Sequence, residues 1–234
     1  LFTLSTADTD LAGDAGDVSI TGQDVLIKEI FTFSSSSGNN SGRGGNVNIS
    51  AANSVELLSH INTVSQAERE TQNAGNINIS APASIDINGQ LTAYSQATSG
   101  ADAGNGGTVN LLSNNINVNN IDTWTRAEEW TPAYSSLGRP GNITLTEFSN
   151  VPGSSISTGN INSFSFANDS NSRNGGQVEI AADIVSLSAI NTSSRADDDD
   201  NAGNGGNISI QGGQSVLATG NLLTNSFADE NNAG

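Results

Sequence analysis

Apolar residues in this chain do not recur at helical spacing; they alternate with polar ones in short runs bounded by Gly, Asn, Ser and Asp. Segments of the form Gly-x-[Val/Ile]-x-[Ile/Leu] recur seven times, beginning at Gly16, Gly45, Gly75, Gly107, Gly141, Gly176 and Gly206. A second alternating segment follows each, from Val25, Val55, Ile85, Ile116, Ile156, Val185 and Val216. A third has the clear forms INTVSQA from Ile61, LTAYSQA from Leu91, IDTWTRA from Ile121 and INSFSFA from Ile161, then INTSSRA from Ile190 and LLTNSFA from Leu222. FTFSSSS from Phe31 reads as a weaker copy, and LFTLSTA opens the chain at a third segment.

Recurrence of strand identity at a fixed interval is a solenoid signature, because each unit can bury its apolar face only against its neighbours. The expected fold is all-β: a right-handed single-stranded parallel β-helix with three short strands per coil of about 30 residues and about seven coils. At about 4.8 Å per coil the rod is about 35 Å long. First-strand pairs such as Val47/Ile49, Ile77/Ile79 and Val109/Leu111 point inward and form aliphatic files. In the third strand the first, third, fifth and seventh positions repeat best, which places them inward. The fifth is always Ser or Thr (Ser5, Ser35, Ser65, Ser95, Thr125, Ser165, Ser194, Ser226), and the seventh is Ala, or Ser37 in the weak copy. Each hydroxyl is expected to donate to the next one along this file. Outward Asn46, Asn48, Asn76 and Asn78 are placed to form amide ladders. Asn48, Asn78, Asn142 and Asn207 also match Asn-x-Ser/Thr, but they fall in strands rather than loops, which makes these chance matches.

The outward fourth position of the third strand runs Leu4, Ser34, Val64, Tyr94, Trp124, Phe164, Ser193, Asn225, and the sixth adds Arg126, Phe166 and Phe227. Four consecutive coils thus expose an apolar or aromatic group, the composition of a sugar-binding or protein-binding surface. Two insertions interrupt the coil nearby. One, between Ala127 and Gly141, carries Trp130, Tyr134 and Arg139; the other, between Leu145 and Ile156, carries Glu147 and Phe148. Solenoids commonly carry binding residues on such insertions. Tyr94, Trp124, Arg126, Trp130, Tyr134, Phe164 and Phe166 are therefore the candidate ligand or partner surface. A packing lid over an irregular coil is the alternative.

Seven Lys and Arg against 24 Asp and Glu, net charge −17, argue against nucleic acid and against an anionic membrane surface. No apolar run approaches the length of a membrane helix. With no Cys and a single histidine, His60, most zinc and triad chemistry is ruled out. His60 falls in the turn between second and third strands. The turns after the third strand are acidic (Asp8/Asp10, Glu68/Glu70, Glu128/Glu129, Asp197–Asp200, Asp229/Glu230). A solvated edge is expected there, with Ca²⁺ as the cation such an edge would hold, although the calcium-roll repeat is missing. No other cofactor is expected.

The string GNGGNISI at Gly203–Ile210 and NAGNINIS at Asn73–Ser80, followed by [Ile/Leu]-x-Thr-x-Ser-x-Ala, resembles the passenger repeats of filamentous-haemagglutinin-like exoproteins. These belong to the two-partner secretion system of Gram-negative bacteria. The resemblance spans essentially the whole chain and implies a secreted, cell-surface rod without enzymatic activity. Its expected partners are glycans, protein surfaces or neighbouring rods. The family's secretion domain is not recognisable, which makes residues 1–234 one internal segment of a longer solenoid. Two alternatives remain open: a self-assembling extracellular filament subunit using the unpaired coil ends, and a polysaccharide-degrading β-helix, for which Asp122 and Arg126 beside Trp124, or Glu56 and Asp86 on another face, are the available groups.

Overall fold

The computed structural model describes residues 1–99, 102–128, 137–148, 152–168, 171–197 and 201–228. Among them there is no helix, and nineteen strands join in parallel pairs into a solenoid of about seven turns. Like residues stand over like residues. Val18, Val47, Ile77, Val109, Ile143, Val178 and Ile208 form one file on the first wall, and Ile20, Ile49, Ile79, Leu111, Leu145, Ile180 and Ile210 form the next. The second wall stacks Val25, Val55, Ile85, Ile116, Ile156, Val185 and Val216. The third wall opens with Ile30, Ile61, Leu91, Ile121, Ile161, Ile190 and Leu222. Apart from Val216 and Leu222, which are exposed, these files fill one continuous apolar lumen. Each fully buried Ile or Leu contributes about 1.5–3 kcal/mol of transfer free energy against the entropy of ordering its coil.

A glycine opens each coil because two backbones touch there. A Cβ on Gly45, Gly75, Gly107, Gly141 or Gly206 would stand 1.9–2.1 Å from the carbonyl oxygen of the glycine one coil earlier. No side chain fits in that space. Gly153 is a different case: its φ of 89° lies in the left-handed region, and a Cβ there would meet open space.

Strand boundaries depart from three separate strands per coil. First and second walls run as one strand in Val18–Ile27, Val47–Leu57, Val178–Asn191 and Ile208–Ala218, with register shifts at Gly22/Asp24 and Ala182/Ile184 turning the corner without breaking the ladder. From the third coil onward the third wall instead breaks in the middle. Ser84–Thr92, Asn115–Asp122 and Ser155–Asn162 end at its second residue; Ser95–Ala97, Thr125–Glu128 and Ser165–Asn168 resume at its fifth. The break coincides with a staple across the coil. Thr123 Oγ1 donates to the Gly141 carbonyl (2.7 Å) while Gly141 N–H donates to the Thr123 carbonyl (2.9 Å), and Thr192 and Gly206 repeat the pair at 3.1 and 2.6 Å. Beyond the staple the interior narrows to the column of small residues Ala97, Ala127 and Ala167 with Ala103 and Leu137.

Two expectations for the third wall need correction. The weak copy begins at Ile30, not Phe31: Ile30 pairs with Ile61, Thr32 with Thr63 and Ser34 with Ser65. The buried hydroxyl of that coil is therefore Ser34 rather than Ser35, the corner residue is Ser36 rather than Ser37, and the outward fourth position is Phe33 rather than Ser34. The hydroxyls also do not donate along their file. Ser34 donates to the Gly13 carbonyl (2.8 Å), and Ser65 donates to Gly42 (2.8 Å) while meeting Ser41 Oγ at 2.8 Å. They satisfy backbone groups of the return segment that closes each coil, together with other inward hydroxyls such as Ser36, which donates to the Asp10 carbonyl (2.7 Å).

The expected outward ladders are present. Asn78 Nδ2 donates to Asn48 (2.9 Å), and Asn110 Nδ2 donates to Asn78 (2.8 Å). Backbone N–H groups of Asn76 and Thr108 donate to the side-chain oxygens of Asn46 (3.0 Å) and Asn76 (2.9 Å) one coil earlier. His60 lies in its expected turn, and its Nδ1 accepts from Gln90 N–H (3.2 Å).

Ile79→Ala is expected to cost about 2–5 kcal/mol in chemical denaturation, the range for emptying a closed aliphatic site. Gly75→Ala should be worse than Gly153→Ala, because only the former places a Cβ 2.0 Å from a carbonyl oxygen. Comparable midpoints for the two glycine variants would contradict the backbone-contact argument.

Candidate binding face on the third wall

Outward side chains of the third wall stand in three files about 4.8 Å apart along the rod. With the corrected register the fourth-position file reads Leu4, Phe33, Val64, Tyr94, Trp124, Phe164, so six successive coils carry an apolar group there. The sequence missed the Phe33 rung because Phe31 and Phe33 alternate with the same parity as an inward pair. Val64 is only 2% exposed, flanked in its file by Phe33 and Tyr94. The rings stack on one another. Tyr94 and Trp124 have centroids 4.1 Å apart at 11°, and Trp124 and Phe164 are 6.0 Å apart at 15°. Both faces of the Trp124 indole thus meet a neighbouring ring, and the file turns ring edges to solvent. The Trp124 ring faces are therefore turned to neighbouring rings rather than to solvent, because one coil's rise matches a ring-stacking distance. Burial raises the Tyr94 phenol above its usual pKa.

The sixth-position file is an alternating ladder of cations and rings. Arg126 lies over Phe166 (5.0 Å), and Arg195 lies between Phe166 (5.7 Å) and Phe227 (5.4 Å). Arg195 is a rung of this ladder that sequence reasoning left out; its in-register place between Phe166 and Phe227 was the available signal. Each arginine meets an acid two residues on, the next residue on the same side of the strand: Arg126 Nε–Glu128 Oε1 at 2.6 Å and Arg195 Nε–Asp197 Oδ1 at 2.8 Å. Arg126 Nε is covered from solvent, with the Glu128 carboxylate as its charged neighbour. Between the two files Trp124, Arg126, Phe164 and Phe166 line a cleft of about 240 Å³.

The second-position file supplies Asp122, in register with Thr92 and Asn162. Burial raises its carboxyl above the usual value, opposed by hydrogen bonds from Asn162 Nδ2 (2.7 Å) and Gln90 Nε2. Asp24, fully exposed at the first-to-second corner, shifts the other way: Ser54 Oγ and Asn53 Nδ2 donate to it, both at 2.6 Å, and hold its carboxyl low.

Tyr94, Trp124, Arg126, Phe164 and Phe166 are thus brought together on one face; Trp130 and Tyr134 lie outside the described residues. Of the second insertion, Phe148 is exposed at 44%, and Glu147 accepts from Ser154 Oγ, tying its loop back to the coil. On the acidic edge Asn40 Nδ2 donates to Glu70 Oε2 (3.1 Å), and Glu128 and Asp197 face arginines. Glu129, Asp198–Asp200, Asp229 and Glu230 lie outside the described residues. Among those described, no three His, Cys, Asp or Glu side chains converge as a metal site would require. No described helix is long and apolar enough to cross a membrane.

Compared with protein-family models, curated proteins and solved structures, the chain matches none of them.

The two shifted carboxyls make opposite pH predictions. Asp122, with its folded pKa raised, gives stability that is full below its unfolded value near 3.8 and lost as pH rises through the folded pKa. Asp24, with its folded pKa lowered, gives stability present above 3.8 and lost as pH falls through the folded pKa. Asp122→Asn should therefore raise Tm at pH 7 by about 1–3 °C, and the gain should shrink towards pH 3.5, where the native carboxyl is itself neutral. Thermal melts of both proteins across that range check the sign.

Proposed function

We propose that this chain is the rod of a secreted, cell-surface exoprotein of the filamentous-haemagglutinin type, working through length, stiffness and contacts along its side. The observation that carries the reading is the third-wall face. Aromatic and arginine files run the length of several coils on a scaffold whose other outward files are mainly Asn, Ser and Thr. Outward groups on a stacked sheet are held at fixed spacing without any loop having to order on binding, which favours recognition of an extended surface. The charge of −17 keeps such a rod soluble and away from nucleic acid and anionic lipid.

A polysaccharide-degrading β-helix is the second reading, favoured by Asp122, whose raised pKa sits beside Trp124 and Arg126. Against it, the Asp122 oxygens already accept from Gln90 and Asn162, which leaves the group poorly placed to take up or give a proton.

Purified chain, presented on beads, is expected to bind epithelial or bacterial cell surfaces and to release no reducing ends or unsaturated products from polyuronates or glucans. Scattering should give a rod with about 4.8 Å of length per coil. Failure to bind any such surface, or turnover of a polysaccharide, would overturn the reading.

A further inference from the structure

The cleft between the aromatic and arginine files has an unusual chemical balance. Its walls are apolar, but what they turn outward is electropositive. Stacking hides the ring faces of Trp124 and directs ring edges, the positive part of the quadrupole, towards solvent. Arg126 adds a part-exposed guanidinium, paired through its covered Nε with Glu128. Such a cleft suits an occupant rich in oxygen acceptors with intervening C–H surface.

Charge then selects among such occupants. Both arginines of the ladder are already neutralised, by Glu128 and Asp197, and the chain as a whole carries −17. A sulfated or carboxylated polymer would meet net repulsion with no free cation to repay its desolvation. An uncharged sugar has the acceptors and the C–H patches without that cost. The cleft volume of about 240 Å³ lies below the range of drug-sized pockets and fits a stretch of one or two rings rather than a folded partner.

We propose that the cleft lined by Trp124, Arg126, Phe164 and Phe166 binds a neutral glycan chain, laid along the rod axis between the two files. This rests on the adhesive-rod reading and names the ligand class of that face. Adjacent sugar rings follow the files from coil to coil, the terminal N–H groups of Arg126 donate to a ring or glycosidic oxygen, and Phe166, held between Arg126 and Arg195, supplies an apolar edge. Affinity per site is low, and repetition along a cell surface raises it by avidity.

The test uses the full chain in parallel with a Trp130→Phe variant in which Trp124 is the single indole. Titration with cellohexaose, laminarihexaose and chitohexaose is followed by Trp fluorescence, with hexagalacturonate and a heparin hexasaccharide as anionic counterparts. At least one neutral oligosaccharide should give a saturable change, weakened about tenfold or more in Phe166→Ala and Arg126→Ala, with the far-ultraviolet spectrum unchanged. The anionic pair should bind more weakly. Arg126→Lys keeps the charge but not the planar fork of N–H donors, and should weaken binding as Arg126→Ala does; full retention would remove the role given to those donors. Preference for an anionic oligosaccharide, or no response to any of the three neutral probes, would overturn the proposal. Cell binding that persists in the cleft variants would locate adhesion elsewhere on a rod whose general reading stands, whereas loss of all cell binding in the parent chain would remove that reading itself.

Discussion

Backbone hydrogen bonds that run along the rod oblige every residue to sit over its counterpart one turn earlier, and nearly every other feature follows from that. Parallel pairing leaves no freedom to place an aliphatic residue over a charge inside the lumen, so Ile49, Ile79 and Leu111 share one environment and their sequence contexts look alike. The same obligation brings the opening glycines into carbonyl contact and makes an outward Asn useful, since the next coil presents a matching donor or acceptor at hydrogen-bond distance. Local propensity has a secondary part; the repeat is enforced by what lies above and below.

This explains what could be read from the sequence and what could not. First and second walls were legible coil by coil, because a strict two-residue alternation beginning at a glycine has only one register. The third wall was harder. Its inward positions are Thr, Ser and Ala, which the hydrophobic pattern does not mark, and in the coil opened by Gly16 Phe31 and Phe33 supply a false inward alternation. Ile30 decides the register there, as the first residue after Lys28 and Glu29 that continues the Ile61–Leu91–Ile121 file. A one-residue slip exchanged the faces and removed Phe33 from the outward file.

For the candidate face, the sequence marked a column of residues but not its geometry. Periodicity placed Tyr94, Trp124 and Phe164 in one column, yet nothing in a list of residues says that rings one coil apart will close on each other. That follows from the coincidence of coil rise with stacking distance. The hydroxyl file shows the same gap. Its residue types were clear, while its partners, the Gly13 and Gly42 carbonyls and Ser41 among them, belong to the irregular return segment, whose path no alternation encodes.

The axial direction of the ladder also has a mechanical side. Tension applied between the two ends of such a rod pulls each coil directly away from its neighbour, loading the interface in peeling rather than in shear. The lumen is shared, but each coil contacts only the coils on either side of it, so the rod should yield one turn at a time. Each released turn of about 30 residues would pay out roughly 100 Å of extended chain. A tether built this way lengthens in steps under a load that would snap a rigid link.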